Sequence, residues 1–519
     1  MLLKRFPGRA SWVLPCIALA VSATLSSTQA FGDPAPADMN EMKRQIRGLQ
    51  EKIERLENQV TQSAATPATN PAPAAARQSG TYEGIQAGPL NIRFGGFIEL
   101  AGLYRSRDEV TDVGSSFSGI PYASSPAGNL SEFRASARQS RLSLLISGPS
   151  DDGRHAEAYY EMDFLGGAQT ANSRQSNSYN LRIRNIYAQY ANDQSGFAIL
   201  AGQSWSLVTQ GRKGIVARNE LVPMTIDAQY VPGFNWTRNA QIRFTEKFSD
   251  AVSAGLSLES PQTLFGGKAP PGVIGTITGS GQFNNANSYS LDSAPDVVVK
   301  LAFDPGWGHY ELFGVNRWFR VRTLGSGAMP GHNDSRSAVS GGASVLLPLL
   351  ARTLEFQASA MVGKGLGRYG SVQLPDATYD AQGGVRPIRG STWLAGLMAH
   401  PHPALDLYAY VGGEQVDATY SAVLDGAGAP EGYVGYGSPA IDLSGCAFEG
   451  GACAPNNGKA TQGTIGVWWK VYRGSLGYLQ VGVQGSYTRL QALPGQNGQR
   501  PDTHMSVGMV SLRYHPYQN

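Results

Sequence analysis

The stretch HAEAYYEMDF, residues 155–164, alternates between apolar and polar side chains without a break. From Ala156 onward every second side chain is apolar, while the intervening positions include Glu157, Glu161 and Asp163. Successive side chains of a β-strand point to opposite faces of its sheet. The stretch therefore predicts a strand that has one face in an apolar environment and the other in a polar one.

The same two-residue period recurs along the chain in about sixteen segments. These lie near residues 92–105, 137–148, 155–164, 180–191, 196–205, 240–247, 251–260, 296–303, 307–317, 336–347, 352–363, 390–400, 404–414, 463–472, 477–489 and 505–514. Short connections such as GPSDDGR, NDQS and DPGW alternate with much longer ones. An even number of strands, with short turns at one end and long loops at the other, is typical of outer-membrane barrels. We predict an all-β fold, an antiparallel transmembrane barrel of about sixteen strands, over residues 91–519.

The first thirty residues have the pattern of an export signal. Lys4, Arg5 and Arg9 precede an apolar stretch, and small residues lead up to Ala30. This order of basic, apolar and small residues predicts a signal peptide over residues 1–30, with cleavage after Ala30. The mature chain is therefore expected to leave the cytoplasm.

A helix is predicted over residues 38–61, because apolar residues recur there at alternating spacings of three and four. The central seam consists of Ile46, Leu49, Ile53 and Leu56. This pattern indicates a coiled coil that joins copies of the chain, and by itself it leaves dimer and trimer open. A surface amphipathic helix is the alternative. Residues 62–90 are rich in Ala and Pro and predict a semi-rigid linker.

Two cysteines remain after cleavage, Cys446 and Cys453, in the Gly-rich stretch GCAFEGGACAP. In an oxidising compartment such a pair most simply forms a disulfide within a loop. The stretch lacks the further ligands that a metal site needs, so neither a metal nor another cofactor is expected. The net charge of +3 is too small to indicate nucleic acid as a partner.

Four motifs resemble those of the DcaP-like porins. They are LRIRNIYAQY at 181–190, LAGQSWS at 200–206, NWTRNAQIRF at 235–244 and PDVVVKLAF at 295–303. The resemblance implies a homotrimer of sixteen-stranded barrels with an N-terminal coiled coil in the periplasm. It also implies uptake of small anions such as dicarboxylates. By the same resemblance, loop 206–239 folds into the bore, and an ordinary surface loop is the alternative.

A channel requires no catalytic group, but it does require a charge pattern where its bore is narrow. Arginine suits anionic solutes because its planar guanidinium offers two parallel donors to a carboxylate. The arginines that we expect along the solute path are Arg138, Arg141, Arg182, Arg184, Arg238 and Arg243. The carboxylates expected to face them are Glu99, Glu157, Glu161 and Asp163. The alternative is that these groups merely pair with one another and fill the lumen.

These patterns favour a porin of the bacterial outer membrane for small hydrophilic solutes, preferentially anions. Its expected partners are anionic solutes, outer-membrane lipid and two further copies of the chain. A tether that joins the outer membrane to the cell wall through the coiled coil is one alternative, and a sugar-selective porin is another. An enzyme is not expected, since the chain has no G-x-S-x-G nucleophile motif and the strand alternation offers no lipid-facing Ser–His pair.

Overall fold

A computed structural model describes residues 84–167, 178–281, 283–327, 329–351 and 353–517. The predicted signal peptide, the predicted coiled coil with its seam, and most of the predicted linker lie outside these residues. All the described residues belong to the unit Gln78–Asn519.

The described residues form twenty-five strands, numbered here in chain order. They are β1 Ile85–Ala87, β2 Leu90–Arg105, β3 Glu132–Ser136, β4 Arg141–Ser147, β5 Arg154–Gly166, β6 Asn180–Asn192, β7 Phe197–Trp205, β8 Arg238–Lys247, β9 Val252–Glu259, β10 Val273–Ile274, β11 Thr276–Thr278, β12 Ser288–Ser290, β13 Asp296–Phe303, β14 His309–Thr323, β15 His332–Leu350, β16 Leu354–Lys364, β17 Ala377–Tyr379, β18 Val385–Pro387, β19 Arg389–His402, β20 Leu405–Val416, β21 Thr419–Leu424, β22 Pro430–Tyr436, β23 Asn457–Gly474, β24 Gly477–Ala492 and β25 Asp502–His515. Four short 3-10 turns accompany them, at Pro126–Asn129, Gly367–Tyr369, Ser444–Ala447 and Gln496–Gly498. No helix in the described part of the chain is long and apolar enough to cross a membrane.

The main sheet closes on itself as an antiparallel barrel. Its first strand, β2, pairs with β4 on one side and with the last strand, β25, on the other. On the β25 side, Ile98 lies opposite Tyr514. Counting β3 and β4 as one interrupted strand, the described residues contribute sixteen strands to the wall, which confirms the predicted number. Closure pairs every strand on both sides, as a lipid-exposed sheet requires.

The second wall strand is interrupted where the sequence predicts a continuous segment, 137–148. Both β3 and β4 pair with β2, and the chain turns between them. The Ser140 hydroxyl accepts a 3.0 Å hydrogen bond from the Glu99 backbone N–H, which replaces a bond of the ladder. The wall therefore stays closed across the interruption.

Exposure alternates along the strands as the sequence pattern predicts. In β2, Ile98 is 65% exposed, whereas the adjacent Glu99 is 1% exposed. In β5, the outward Phe164 is exposed and the preceding Asp163 is buried. Apolar side chains thus cover the outside of the barrel, and polar groups face the bore, as in a transmembrane barrel.

The connections differ in length at the two ends of the barrel. At one end the wall strands are joined by short turns, such as 248–251 between β8 and β9. At the other end long loops carry the small hairpins β11–β12, β17–β18 and β21–β22. The loop that follows β22 contains the Cys446–Cys453 disulfide, which confirms the predicted bond. The hairpin strand β1 lies within the segment that the sequence predicts as linker, and it pairs with the start of β2.

Candidate functional site

The loop between β7 and β8, residues 206–237, crosses the interior of the barrel. Its backbone N–H groups reach side chains on the far wall. Gly233 donates to a Glu414 carboxylate oxygen at 2.8 Å, and Ile226 donates to the Gln484 side-chain oxygen at 2.6 Å. Glu414 and Gln484 are buried residues of β20 and β24. This loop therefore folds into the bore, and we name it the constriction loop.

The near end of the constriction loop is held by carboxylates of the adjacent wall. Leu207 donates its backbone N–H to Glu259 at 3.0 Å, and Gly211 donates to Glu311 at 3.0 Å. The ammonium of Lys300 donates to the Thr209 carbonyl at 2.7 Å. Buried backbone groups need partners, and the polar inner face of the barrel supplies them.

A cavity of about 290 Å³ lies between the constriction loop and the wall. Three arginines line it, namely Arg141, Arg184 and Arg513. Aromatic rings, among them Phe97 and Trp468, form much of the remaining surface. The cavity therefore combines cationic donors with apolar faces.

Two carboxylates of β5 pair with the arginines beside this cavity. Arg184 contacts Glu161 at 2.6 Å and Asp163 at 3.0 Å. Asp163 also pairs with Arg182 at 2.7 Å, and the nearest approach of Arg141 to Glu161 is 3.5 Å. The predicted rows of opposite charge thus meet on adjacent strands as a connected network.

A β-bulge turns Arg184 into this network. Glu161 lies opposite Asn185 and Met162 lies opposite Ile183, so Arg184 is an extra residue in the β6 ladder. Both Arg184 and Asn185 are consequently buried. A bulge commonly redirects a side chain in this way.

Arg513 was not among the residues predicted to line the solute path. Its guanidinium binds both carboxylate oxygens of Glu99, each at 3.0 Å. It also lies over the rings of Phe97 and Trp468, at 4.2 and 4.5 Å from their centroids. The signal was present in the sequence, because Arg513 falls on the inward phase of the last strand.

Arg238 forms no ion pair with any residue that the structure describes, and its Nη1 has no hydrogen-bond partner there. Its guanidinium instead lies over Trp205 and Trp236, at 4.9 and 5.0 Å from the ring centroids. The ring of Trp205 is shared with Arg184, at 5.9 Å. Cation–π contact of this kind holds the charge without neutralising it.

We name the connected set the arginine cluster. Its cations are Arg141, Arg182, Arg184, Arg238 and Arg513, and its anions are Glu99, Glu161 and Asp163. Five positive charges face three negative ones, so the cluster carries an excess of two. Arg141 and Arg238 have the weakest contacts with carboxylates, and we assign the excess mainly to them.

The remaining predicted residues lie apart from the cluster. Arg138 pairs with Asp112 of the first long loop at 2.5 Å. Arg243 bonds to the Trp205 carbonyl and, at 3.1 Å, to the Gln241 side chain. Glu157 pairs with Arg218 of the constriction loop. These three side chains hold the interior together.

No protein-family model matches the chain, and no curated protein matches it in sequence. The structure is similar to the outer membrane channel DcaP of Acinetobacter baumannii, with a TM-score of 0.57 and 16% sequence identity. That likeness covers 83% of this chain and 99% of the other. The anion-selective porin from Comamonas acidovorans matches with a TM-score of 0.44 and 10% identity, covering 82% of this chain and 99% of the other.

At 16% identity the likeness to DcaP shows a common fold. The resemblance to DcaP-like porins that the sequence motifs indicated is confirmed at this level. The chain has the sixteen-stranded barrel fold of an outer-membrane channel.

Proposed function

We propose that the protein is a porin of the bacterial outer membrane through which small hydrophilic solutes diffuse passively, with a preference for anions. The single observation that carries this proposal is the excess of two positive charges in the arginine cluster, beside a cavity under the constriction loop. A lumen that only needed filling would have no reason to leave arginines without matching carboxylates.

The chemistry of the cluster favours carboxylates. Arg141 has a buried Nε without a partner among the described residues, and so has Arg513. Both residues line the cavity. Guanidinium groups at two positions on the cavity wall suit an anion with two carboxylate groups, and we therefore propose small dicarboxylates as preferred solutes. The protein is expected to work as a homotrimer embedded in outer-membrane lipid.

The expected size of the preference follows from elementary electrostatics. At about 6 Å in a water-like lumen, one positive charge attracts a passing carboxylate by roughly 0.7 kcal/mol, about threefold in local concentration. Removal of two charges should therefore lower the anion preference by roughly tenfold at low salt. The effect should be smaller in molar salt, because the Debye screening length there is only about 3 Å.

The test is the reversal potential of reconstituted channels in a salt gradient. The variant carries Arg141→Gln and Arg238→Gln, because these removals leave no carboxylate without its main partner. The control carries Arg386→Gln and Arg500→Gln, two exposed loop arginines outside the cluster. An equal change in both variants would contradict a role of the cluster in selectivity. A loss of conductance without a loss of anion preference would contradict it as well.

A further inference from the structure

We propose that the outward-facing side chains of Lys364, Arg389 and Lys459 form a binding surface for the phosphorylated headgroup of a lipid in the outer leaflet. We name these three residues the basic rim. The proposal depends on the transmembrane barrel and not on solute selectivity.

The strand register places the basic rim at one level of the barrel. Lys364 is the last residue of β16 and lies directly opposite Arg389, the first residue of β19. Lys459 is the third residue of β23 and lies opposite Gln415 of β20. All three cations therefore lie where the strands meet the long loops, across four neighbouring strands. Each of these side chains is exposed.

The phase of each strand shows that the cations point away from the bore. Val362 precedes Lys364 by two positions and is exposed, whereas Met361 is buried. Trp393 follows Arg389 by four positions and is also exposed. Residues separated by an even number of positions share one face of a strand. The basic rim thus lies on the outer surface of the barrel.

Between the basic rim and the short turns, the outer surface of the same strands is apolar. Its exposed side chains there are Val362, Trp393, Val411 and Ile465. Such an apolar surface contacts the hydrocarbon of the bilayer, and tryptophan is typical of its border. The basic rim lies just beyond that border, at the level of lipid headgroups.

The charges of the basic rim have no protein partner. None of the three forms an ion pair or a side-chain hydrogen bond with another described residue, and the neighbouring carboxylate of Asp417 pairs with none of them. On β24, the strand next to β23, Arg489 does pair with Asp502, at 2.6 Å. Exposed arginines of this surface can therefore find carboxylates, yet the basic rim lacks them.

The basic rim is also confined to one side of the barrel. At the corresponding ends of β2, β3 and β6 the outward side chains are Tyr104, Phe133 and Leu181, all exposed. Three unpaired cations at the level of the headgroups favour a phosphorylated lipid far more than a neutral one. A phosphate between Lys364 and Arg389 would leave Lys459 roughly 10 Å away across two strand spacings, where a second phosphate fits. The partner class is accordingly a lipid that carries two phosphate groups.

The experiment compares two lipids on the intact protein in uncharged detergent. The probes are a bisphosphorylated acylated disaccharide lipid and its enzymatically dephosphorylated form, and binding is measured by native mass spectrometry over a range of lipid concentrations. Each cation near an anionic lipid surface contributes roughly fivefold to binding. We expect the wild-type protein to bind the phosphorylated form at least tenfold more tightly. The variant Lys364→Gln, Arg389→Gln, Lys459→Gln should bind both forms alike.

A matched control removes three exposed loop cations at the same end of the barrel, Lys268→Gln, Arg386→Gln and Arg500→Gln. This control should keep the preference for the phosphorylated lipid. The proposal is overturned if the basic-rim variant keeps that preference, or if the control loses it equally. A change in the number of associated copies with unchanged lipid preference would also overturn it, since the surface would then be an interface between barrels. Heat-dependent electrophoretic mobility establishes that both variants fold.

Discussion

Arg218 of the constriction loop donates hydrogen bonds from Nη2 to both carboxylate oxygens of Glu157 on β5, at 3.0 and 2.8 Å. Its Nε donates to the Tyr187 hydroxyl on β6 at 3.2 Å, and its guanidinium lies 5.4 Å from the Tyr159 ring centroid. The backbone of Arg218 has a φ of 66°, a left-handed conformation that non-glycine residues rarely adopt. Contacts with the wall therefore hold a turn that is locally strained.

The first prediction concerns the contacts of Arg218 with the barrel wall. In Arg218→Ala the loop loses the contact with Glu157, and a partly exposed ion pair of this kind contributes about 1 kcal/mol. The strained turn should then relax, and the constriction loop should fluctuate more. We expect larger current noise in single-channel recordings from planar bilayers.

The control for Arg218→Ala is Lys247→Ala, which removes an exposed ion pair with Asp250 in a short turn outside the bore. Its recordings should resemble those of the wild-type protein. If Arg218→Ala shows no more current noise than the control, Arg218 does not restrain the loop. A double-mutant cycle with Glu157→Gln measures the coupling between the two side chains.

The wall of the barrel could be predicted from sequence because strand alternation is a local property. Glu99 and Asp163 could be assigned to the inner face from their immediate neighbours alone. Arg184 was also predicted to point inward, although the bulge that adds Asn185 to the same buried face could not be foreseen, because it depends on pairing with β5.

The interior could be predicted only in part, because its contacts join residues far apart in the sequence. The bond between Gly233 and Glu414 spans 181 positions, and the ion pair of Arg513 with Glu99 spans 414. No local pattern indicates such a partner. The stacking of Arg238 on Trp205 and Trp236 likewise depends on where the constriction loop ends.

The second prediction concerns the disulfide between Cys446 and Cys453. Their separation of seven positions closes a short loop, for which loop-closure entropy gives a stabilisation of about 2 kcal/mol. The variant Cys446→Ser, Cys453→Ser should keep a folded barrel, because the bond lies within one loop. Proteolysis of that loop should become faster. Thiol labelling of the unreduced mature protein should find no free cysteine, and two reactive thiols would contradict an oxidised pair.

The third prediction concerns the N-terminal seam of Ile46, Leu49, Ile53 and Leu56, which lies outside the described residues. A synthetic peptide of residues 33–62 should be helical and should self-associate, because a single helix of this length is marginal in water. Full-length protein should migrate as a trimer in mild detergent. Deletion of residues 38–61 need only lower the temperature at which the trimer dissociates, since barrel contacts also hold it. A full-length protein that stays monomeric would refute the idea.

The last prediction concerns Glu109, in the first long loop, close to the mouth of the barrel. Its Oε2 accepts a hydrogen bond from the Ser116 backbone at 3.2 Å and lies 3.5 Å from the Arg105 guanidinium. Its Oε1 is buried without a partner among the described residues. Arg105 is shared with Glu132 at 2.9 Å, so its charge is divided between two carboxylates.

Burial raises the pKa of Glu109 to about 7, an effect that Asp227 of the constriction loop reinforces and Arg105 opposes. Because this pKa is raised in the packed loop, the packed state binds the proton more tightly than the open one. The protonated Glu109 carboxyl group therefore stabilises the packed loop fully below about pH 4.5. This stabilisation, on the order of 3 kcal/mol, is lost as the pH rises through 7. Amide hydrogen exchange of residues 106–131, corrected for its intrinsic pH dependence, should show a loop that loosens on going from pH 5 to pH 8, while the wall strands stay protected. Glu109→Gln carries no titrating group and should keep the loop protected at both pH values. If the wild-type loop exchanges alike at both, or if the variant loosens as the wild type does, then the proton on Glu109 does not control the packing of this loop.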